Sequence, residues 1–286
     1  MKALVTGAGG QLGRALLAAA PTGWETIGLA RAELDVGDRG AVADAMRRYG
    51  PDLIINSAAY TAVDRAESEP DSAFRINRDG AGHLAAAARD VGARLVHVST
   101  DFVFDGRASH PYRPEDPTGP LNVYGASKLA GELTVAEAAP DALIVRTAWV
   151  YGPSGANFLA TMLRLMASRP EIGVVADQVG TPTSTHTLAS ALWTLAAGDA
   201  RGTLHFTDAG VASWYDFAAA IAEEAAAAGL LERAPPVRPI STADYPTPAA
   251  RPAFSVLDKS ATFTLLGGPP PHWRAALRAV LARMRP

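Results

Sequence analysis

The chain has 286 residues, 48% of them hydrophobic and 19% charged, and a formal net charge of −3. These values are typical of a globular protein with one large α/β domain, or a large domain and a smaller lobe, and they give no electrostatic reason to expect a nucleic-acid partner. The lack of cysteine excludes disulfides, thiolate metal sites and cysteine nucleophiles.

The first half of the chain alternates between strand and helix patterns. Short runs rich in β-branched residues predict strands at 2–6, 24–29, 52–56, 94–99 and 142–147, and the segments between them predict helices at 11–20, 39–49, 72–91 and 123–138. The strands are almost continuously apolar, as parallel strands buried on both faces are. This order predicts a doubly wound parallel sheet with right-handed crossovers.

After about residue 150 the alternation loosens. Helices are predicted at 157–167, 187–196, 213–228 and 271–285, and short strands at 172–175, 203–206 and 237–240. We expect a sheet domain over residues 1–150, with return elements near 180–207, and a smaller, interleaved C-terminal lobe over 151–286. Apolar runs are too short for a membrane span or a signal peptide, so we expect a cytoplasmic protein without a membrane partner.

The segment LVTGAGGQLGRAL, residues 4–16, places Gly7, Gly10 and Gly13 between a predicted strand and a predicted helix. Glycines at this spacing permit a tight turn and a close approach to a pyrophosphate, and the helix N-terminus favours the anion. An ordinary glycine-rich turn is the alternative, and no Lys-Ser or Lys-Thr follows to indicate a P-loop. The context favours a Rossmann-type NAD(P)-binding domain, with the C-terminal lobe binding the substrate.

The residues after the second predicted strand bear on the choice of nicotinamide. Arg31 stands where an acidic residue would bind the ribose of NAD, and its guanidinium could pair with a 2′-phosphate; a solvated surface arginine is the alternative. Asp35 and Val36 follow, where a carboxylate could accept from the adenine amino group or could form a turn. We expect NADPH, with NADH also possible.

Small or hydroxylated residues end the third and fourth predicted strands. Ala58 and Ala59 in NSAAYTAVD would let a cofactor lie against the backbone, and Ser99 and Thr100 end the strand in HVSTDFVFDG. Ligands of open α/β sheets bind at the carboxyl ends of the strands, which makes these residues candidates for site chemistry. Capping or turn formation is the alternative for the two hydroxyls.

In NVYGASKLAGE, residues 122–132, Tyr124 precedes Lys128 by four positions, so both lie on one helical face, where they could also meet by coincidence. A phenol has a pKa of about 10, and a nearby ammonium together with a positively charged nicotinamide would lower it toward the working range. With Thr100 binding the substrate oxygen, we predict a hydride-transfer site in which Tyr124 is the proton donor and Lys128 its partner.

The motifs TGAGGQLG, STDFVFDG and YGASKLAGE resemble those of the extended short-chain dehydrogenase/reductases. More narrowly, AAYTAVDRAE, PLNVYGASKLAGE, RTAWVYG, NFLATMLRL, DQVGTPTST and TPAARPAFSVLD resemble the dTDP-4-dehydrorhamnose reductase family, from residue 1 to beyond residue 260. The resemblance implies that the C4 ketone of a nucleotide sugar, dTDP-4-dehydro-L-rhamnose, is reduced by NAD(P)H to give dTDP-L-rhamnose.

The resemblance also implies roles for individual residues, which join those predicted above. The expected catalytic residues are Thr100, Tyr124 and Lys128. The expected cofactor contacts are Gly7, Gly10, Gln11, Leu12, Gly13, Arg31, Asp35, Val36, Ala58, Ala59, Tyr60, Thr61, Ser99, Tyr124 and Lys128. The expected substrate contacts are Thr100 and Asp101 at the sugar, Trp149 beside the hexose, and Asn157, Gln178 and Arg251 near the diphosphate.

Some members of that family bind Mg²⁺ through glutamates at a dimer interface. At the matching positions this chain has Ala15, His186 and Arg274, which offer no acidic oxygen to the metal. We expect no metal, and either a monomer or a homodimer that no metal bridges.

Related activities are the main alternatives. Sugar-nucleotide dehydratases place a glutamate after STD, where this chain has Phe102, which cannot transfer a proton. The 4-epimerases, and reductases of other dTDP-4-keto-deoxysugars from antibiotic-type pathways, would share most of these residues. A non-catalytic NADP-binding regulatory subunit is an alternative from another functional class. Such a subunit would be indicated by the loss of Tyr124, Lys128 or the glycines, and this sequence retains all of them.

Overall fold

The computed structural model describes residues 1–284. Its strands are β1 Lys2–Thr6, β2 Glu25–Leu29, β3 Leu53–Asn56, β4 Arg94–Thr100, β5 Leu143–Thr147, β6 Val150–Tyr151, β7 Ile172–Val175, β8 Val179–Gly180, β9 Thr183–Ser184, β10 Gly202–His205, β11 Ala212–Ser213 and β12 Val237–Ile240. Its α-helices are α1 Gln11–Ala18, α2 Arg39–Tyr49, α3 Val63–Ala66, α4 Pro70–Phe74, α5 Gly80–Val91, α6 Val123–Ala138, α7 Phe158–Ser168, α8 Thr185–Ala197, α9 Trp214–Ala227, α10 Ser260–Leu265 and α11 Trp273–Ala282.

The central sheet has the strand order β10-β5-β4-β3-β1-β2, and neighbouring strands pair in parallel. Helices α1 and α8 pack together on one face, and α2, α5 and α6 pack on the other. Both faces are therefore covered, which confirms the predicted Rossmann-type α/β fold. No helix within residues 1–284 is long and apolar enough to cross a membrane.

The elements of the first half lie close to their predicted positions, with one exception. The segment predicted as a single helix at 72–91 is α4, then a π-helical turn at Arg75–Asp79, then α5. A π-turn inserts an extra residue without changing the apolar periodicity much, so the sequence pattern does not reveal it. The turn brings Asn77, which is buried, against the start of α6.

The second half of the chain contributes two elements to the central sheet domain and also forms a core of its own. Strand β10 pairs with β5, and α8 packs on α1, where Trp193 meets Trp24 edge-on at 5.6 Å. Arg94 of β4 donates to the carbonyls of Ala196 at 2.7 Å and Gly198 at 2.6 Å. A separate apolar cluster lies between α7, α9 and α11.

Three differences from the predicted elements concern the second half, and one of them is the short helix α10, which was not predicted. Strands β6, β8, β9 and β11 have two residues each, too few to produce a periodic pattern, and were not predicted. The last helix was predicted at 271–285 but begins at Trp273 and ends at Ala282; residue 285 lies outside the described residues.

A buried ion pair joins α6 to β5. Arg146 Nη2 lies 2.7 Å from Glu132 Oε2, and both side chains are about 95% buried, with 6% and 5% of their surfaces exposed. Arg146 also donates to the carbonyl of Pro114 at 3.0 Å and lies over the ring of Phe104 at 5.1 Å, and Ser99 donates to Glu132. The pair thus ties the end of β4, helix α6 and the loop after β4 together.

Replacing Glu132 with alanine should lower the free energy of unfolding by about 3–5 kcal/mol, because it leaves the Arg146 charge buried without a partner. Urea denaturation measures this change. Asp44→Ala is the control, since it removes one side of the exposed Arg47–Asp44 pair and should cost less than about 1 kcal/mol. Equal effects of the two substitutions would contradict this role of the buried pair.

Candidate active site

The glycine loop after β1 is too tightly packed for larger residues. Gly7 has a φ of +67°, and a Cβ atom on it would lie 2.7 Å from the nitrogen of Ala58. A Cβ on Gly13 would lie 2.3 Å from the carbonyl oxygen of Gly7. The loop is therefore pressed against the end of β3 and against the first turn of α1, which leaves the backbone exposed to a ligand above it.

Helix α1 begins with an open N-terminus that can bind an anion. Gly10 is its N-cap, and no side chain in residues 1–284 caps it. The first turn also lacks an acidic residue, so the free N–H groups and the helix dipole are available to a pyrophosphate. Of the predicted contacts here, Leu12 packs partly buried against the core.

Gln11 connects this loop to the second half of the chain. Its Oε1 accepts from Asn157 Nδ2 at 2.8 Å, and its Nε2 donates to the carbonyl of Ala156 at 3.2 Å. Asn157 is also the N-cap of α7, where its Oδ1 accepts from the nitrogen of Ala160 at 2.8 Å. Asn157, predicted to bind substrate, is thus engaged in holding α7 next to the glycine loop.

The predicted adenine end contains a second set of polar contacts. Asp35 accepts from the nitrogen of Gly37 at 2.9 Å and pairs with Arg75 at 3.0 Å. Partial burial raises the pKa of Asp35, but the bonds from Gly37 and Arg75 outweigh it and hold that pKa below its usual value. Arg31 is exposed nearby, and Val36 is buried.

Asn77 holds the loop at the predicted nicotinamide end. Its Oδ1 accepts from the nitrogen of Tyr60 at 2.8 Å, and its Nδ2 donates to the carbonyl of Tyr60 at 3.0 Å and to Ser127 Oγ at 2.9 Å. Ala58 and Ala59 are half-buried beside Tyr60, and Thr61 is exposed. No motif indicates Asn77 as a site residue, because it is a single polar residue inside a predicted helix.

Two glycines let α6 approach the loop after β4 and the π-helical turn. A Cβ on Gly125 would lie 2.2 Å from the carbonyl oxygen of Phe102, and one on Gly131 would lie 2.0 Å from that of Asn77. Asn122 caps the helix through a bond from the nitrogen of Gly125 at 2.8 Å. The first turns of α6 are therefore held at the carboxyl end of β4.

Tyr124, Thr100 and Asp101 meet at this end of the sheet. Burial raises the pKa of Tyr124 to about 12, the Thr100 hydroxyl lowers it by a hydrogen bond, and the Asp101 carboxylate raises it. The expectation that Lys128 lowers the pKa of this phenol is not met in the ligand-free protein. The reason is that Lys128 Nζ donates to the carbonyl of Val98, at 2.8 Å.

The Asp101 carboxylate has a free oxygen. It is 1% exposed, its Oδ1 accepts from Thr100 at 3.1 Å, and its Oδ2 has no hydrogen-bond partner among residues 1–284. Burial raises the pKa of Asp101 to about 6, although the nearby Ser255 side chain and the bond from Thr100 lower it. A buried acceptor without a donor fits a ligand hydroxyl. Ser99, by contrast, has its hydroxyl engaged with Glu132.

Trp149 adopts a strained backbone conformation and stacks on a second tryptophan. Its φ is +48°, the only positive value among the non-glycine residues of 1–284. Its ring lies 3.5 Å from that of Trp214, with an interplanar angle of 6°. A Cβ on Gly180 would lie 2.7 Å from the indole. Strain of this kind is often maintained at ligand sites.

Two further predicted substrate residues are bonded within the chain. Gln178 donates to Thr242 Oγ1 at 3.0 Å. Arg251 pairs bidentately with Asp64, at 2.9 and 2.8 Å, and holds the pKa of that carboxyl below its usual value.

Two of the three positions at which the family resemblance suggested a metal site, His186 and Arg274, have polar partners in this protein. Arg274 pairs with Glu223 and with Glu224, and His186 contacts Arg283 at 3.2 Å. Within the described part of the chain, no group of three or more acidic or histidine side chains could hold a metal ion.

Known proteins resemble this chain over its whole length. The family model described as RmlD substrate binding domain matches residues 1–285. A dTDP-4-dehydrorhamnose reductase from Mycobacterium tuberculosis is 47% identical over 98% of this chain and 92% of the relative. The spore coat polysaccharide biosynthesis protein SpsK of Bacillus subtilis is 43% identical, over 98% and 96% of the two chains.

Solved structures agree with this comparison. The crystal structure of a dTDP-4-dehydrorhamnose reductase from Bacillus anthracis, in complex with NADP, matches with a TM-score of 0.93 at 37% identity and covers 99% of each chain. The family predicted from the motifs is thereby confirmed. The chain belongs to the RmlD substrate binding domain family and is an NAD(P)H-dependent oxidoreductase.

Proposed function

We propose that this protein reduces the C4 ketone of dTDP-4-dehydro-L-rhamnose with NADPH and gives dTDP-L-rhamnose. The observation that carries the proposal is the meeting of Tyr124, Thr100 and Asp101 at the carboxyl end of β4, the same edge of the parallel sheet from which the glycine loop leaves β1. The names of relatives at 44–47% identity, all dTDP-4-dehydrorhamnose reductases, support the choice of substrate.

The residues of the glycine loop fit a dinucleotide. The close packing at Gly7 and Gly13 holds the loop in a tight turn, and the uncapped start of α1 suits a pyrophosphate. NADPH, when bound, supplies the hydride. The NADP complex of the Bacillus anthracis relative and the exposed Arg31 support NADPH as the preferred form.

Tyr124 is the proposed proton donor to the C4 oxygen. Its pKa, raised to about 12 by burial, keeps the phenol protonated at neutral pH, and a reduction needs a donor that carries its proton when the ketone arrives. The Thr100 hydroxyl beside the phenol orients the same oxygen. A proton donor with this raised pKa does not need Lys128 to lower it.

The sugar is proposed to lie between Asp101 and Trp149. The free Oδ2 of Asp101 accepts a sugar hydroxyl, and the indole of Trp149, supported by Trp214, packs against the hexose. Arg251 binds the diphosphate if it leaves Asp64. In this arrangement residues 1–150 bind the cofactor and also supply Asp101 and Trp149 to the sugar, and the second half adds Arg251 and the supporting Trp214.

The direct test is NADPH oxidation on addition of dTDP-4-dehydro-L-rhamnose, with identification of the product sugar. Formation of dTDP-L-rhamnose supports the proposal. Oxidation only with another dTDP-4-keto-deoxysugar would reassign the substrate, and tight NADPH binding without oxidation by any keto-sugar would indicate a binding subunit.

Tyr124→Phe should lower kcat by at least about 100-fold, because general acid catalysis typically contributes that much, while it leaves the Kd for NADPH nearly unchanged. Steady-state kinetics and a fluorescence titration measure the two quantities. A variant that keeps most of its turnover would exclude Tyr124 as the proton donor.

Gly13→Ala should weaken NADPH binding by at least about tenfold and lower the unfolding midpoint, because its Cβ would lie 2.3 Å from a carbonyl oxygen that cannot move freely. Gly9→Ala is the matched control for packing, since its Cβ would lie 3.5 Å from that of Ala30, an ordinary contact. The control should keep the wild-type midpoint. If both variants unfold like the wild type, the loop is less tightly packed than described.

Gly180→Ala should raise KM for the nucleotide sugar several-fold with little change in the Kd for NADPH, because the added Cβ displaces the Trp149 indole. Near-UV circular dichroism of the stacked tryptophans reports the displacement. Gly198→Ala, whose Cβ would be 3.7 Å from its nearest neighbour, is the control. A changed spectrum with an unchanged KM would show that Trp149 does not contact the sugar.

A further inference from the structure

A chain of buried polar side chains runs beneath the site to Lys128. Thr6 Oγ1 donates to Asn56 Oδ1 at 2.7 Å, Asn56 Nδ2 lies 3.0 Å from His97 Nδ1, and His97 Nε2 lies 3.4 Å from Lys128 Nζ. Each of the four residues is at most 2% exposed. They come from β1, β3, β4 and α6, and no motif pointed to Asn56 or His97.

The backbone determines which way the Asn56 amide points. The nitrogen of Ala58 lies 3.1 Å from Asn56 Oδ1, and a backbone N–H can only donate, so this atom must be the oxygen. Asn56 Nδ2 is then a donor aimed at His97 Nδ1, and that ring nitrogen has to accept. A neutral imidazole with an accepting Nδ1 carries its proton on Nε2.

The protonated ring nitrogen faces Lys128. An ammonium group has three donors and no acceptor, whereas a neutral amine has a lone pair. One Lys128 donor is used by the carbonyl of Val98, at 2.8 Å. The His97 Nε2–H is therefore a favourable partner for the neutral amine and an unfavourable one for the ammonium.

We propose that His97 is a positioning residue that favours the neutral form of Lys128, and that Asn56 maintains the tautomer that does so. Any effect of this protonation state on turnover rests on the proposed function. The protonation state of Lys128 itself does not depend on that function. Whether Lys128 is an ammonium or a neutral amine then depends on the groups that contact its Nζ.

Other groups around Lys128 also influence whether its amine is neutral or charged. Burial lowers the pKa of Lys128 to about 8, and the Glu132 carboxylate one turn further along α6 raises it. Burial, and then Lys128, lower the pKa of His97 well below its usual value, so the imidazole stays neutral. Tyr124 lies one turn earlier on α6, and Asp101 faces its phenol.

The unaltered protein provides the first test. Nitrogen-15 NMR of histidine-labelled protein distinguishes the two neutral tautomers, and the buried His97 should be neutral with its proton on Nε2. A proton on Nδ1, or a positively charged ring at neutral pH, would overturn the proposal.

Two substitutions distinguish the effect of the Nε2 proton on Lys128 from the effect of side-chain packing. An asparagine side chain reaches about as far as imidazole Nδ1, so His97→Asn keeps an acceptor for Asn56 but removes the donor at Lys128. A glutamine reaches about as far as Nε2, so His97→Gln keeps a donor there. His97→Asn should raise the pKa of Lys128 by about one unit or more, and His97→Gln should leave it close to that of the wild type.

Carbon-13 NMR of lysine-labelled protein measures this pKa without substrate, so its outcome does not depend on any reductase assay. The chain has three lysines, and Lys2→Arg and Lys259→Arg each remove one of the other two signals. An equal shift in both His97 variants, or no shift in His97→Asn, would show that His97 only fills space.

Discussion

The site depends on how closely α6 approaches the strands beneath it. Gly125 and Gly131 allow main-chain oxygens of two neighbouring segments to lie where side chains would otherwise be. Because the helix sits this close, Lys128 reaches the Val98 carbonyl of β4, and Glu132 reaches Arg146 of β5. A helix held farther out would carry the same residues and make none of these contacts. The absence of a Cβ at Gly125 and Gly131 thus determines how α6 is placed in the site.

Desolvation gives the site its chemical character. Burial shifts the pKa of Tyr124 upward, that of Asp101 upward and that of Lys128 downward, each toward the neutral form. These three groups have weakened charges, so the sugar end of the site can accept a polar substrate without first breaking an ion pair among them. The strong pair, Arg146–Glu132, lies one layer deeper and stabilises the fold.

The sequence was sufficient for the fold class and for the residues whose spacing has a direct physical meaning. The glycines of the loop after β1, and the pair Tyr124 and Lys128, could be placed because a turn and a helical repeat relate sequence spacing to geometry. Asn77 and His97 could not, since their partners lie far away in sequence and only the folded sheet brings them together. The raised pKa of Tyr124 in the ligand-free protein could not be predicted either, because burial depends on packing that no spacing rule describes; the predicted lowering concerns the phenol beside a bound, positively charged nicotinamide.

The return of β10 and α8 to the central sheet has a consequence for how such proteins can be recombined. The edge strand beside β5 and the helix on α1 come from residues 185–205, and Arg94 is bonded to the carbonyls that follow α8. A chimera joined near residue 150 would therefore combine a sheet from one parent with an edge strand and a covering helix from the other. Its new interfaces would run through the core and not along a surface. Exchange of sugar specificity between relatives is thus better attempted by replacing surface loops than by exchanging halves.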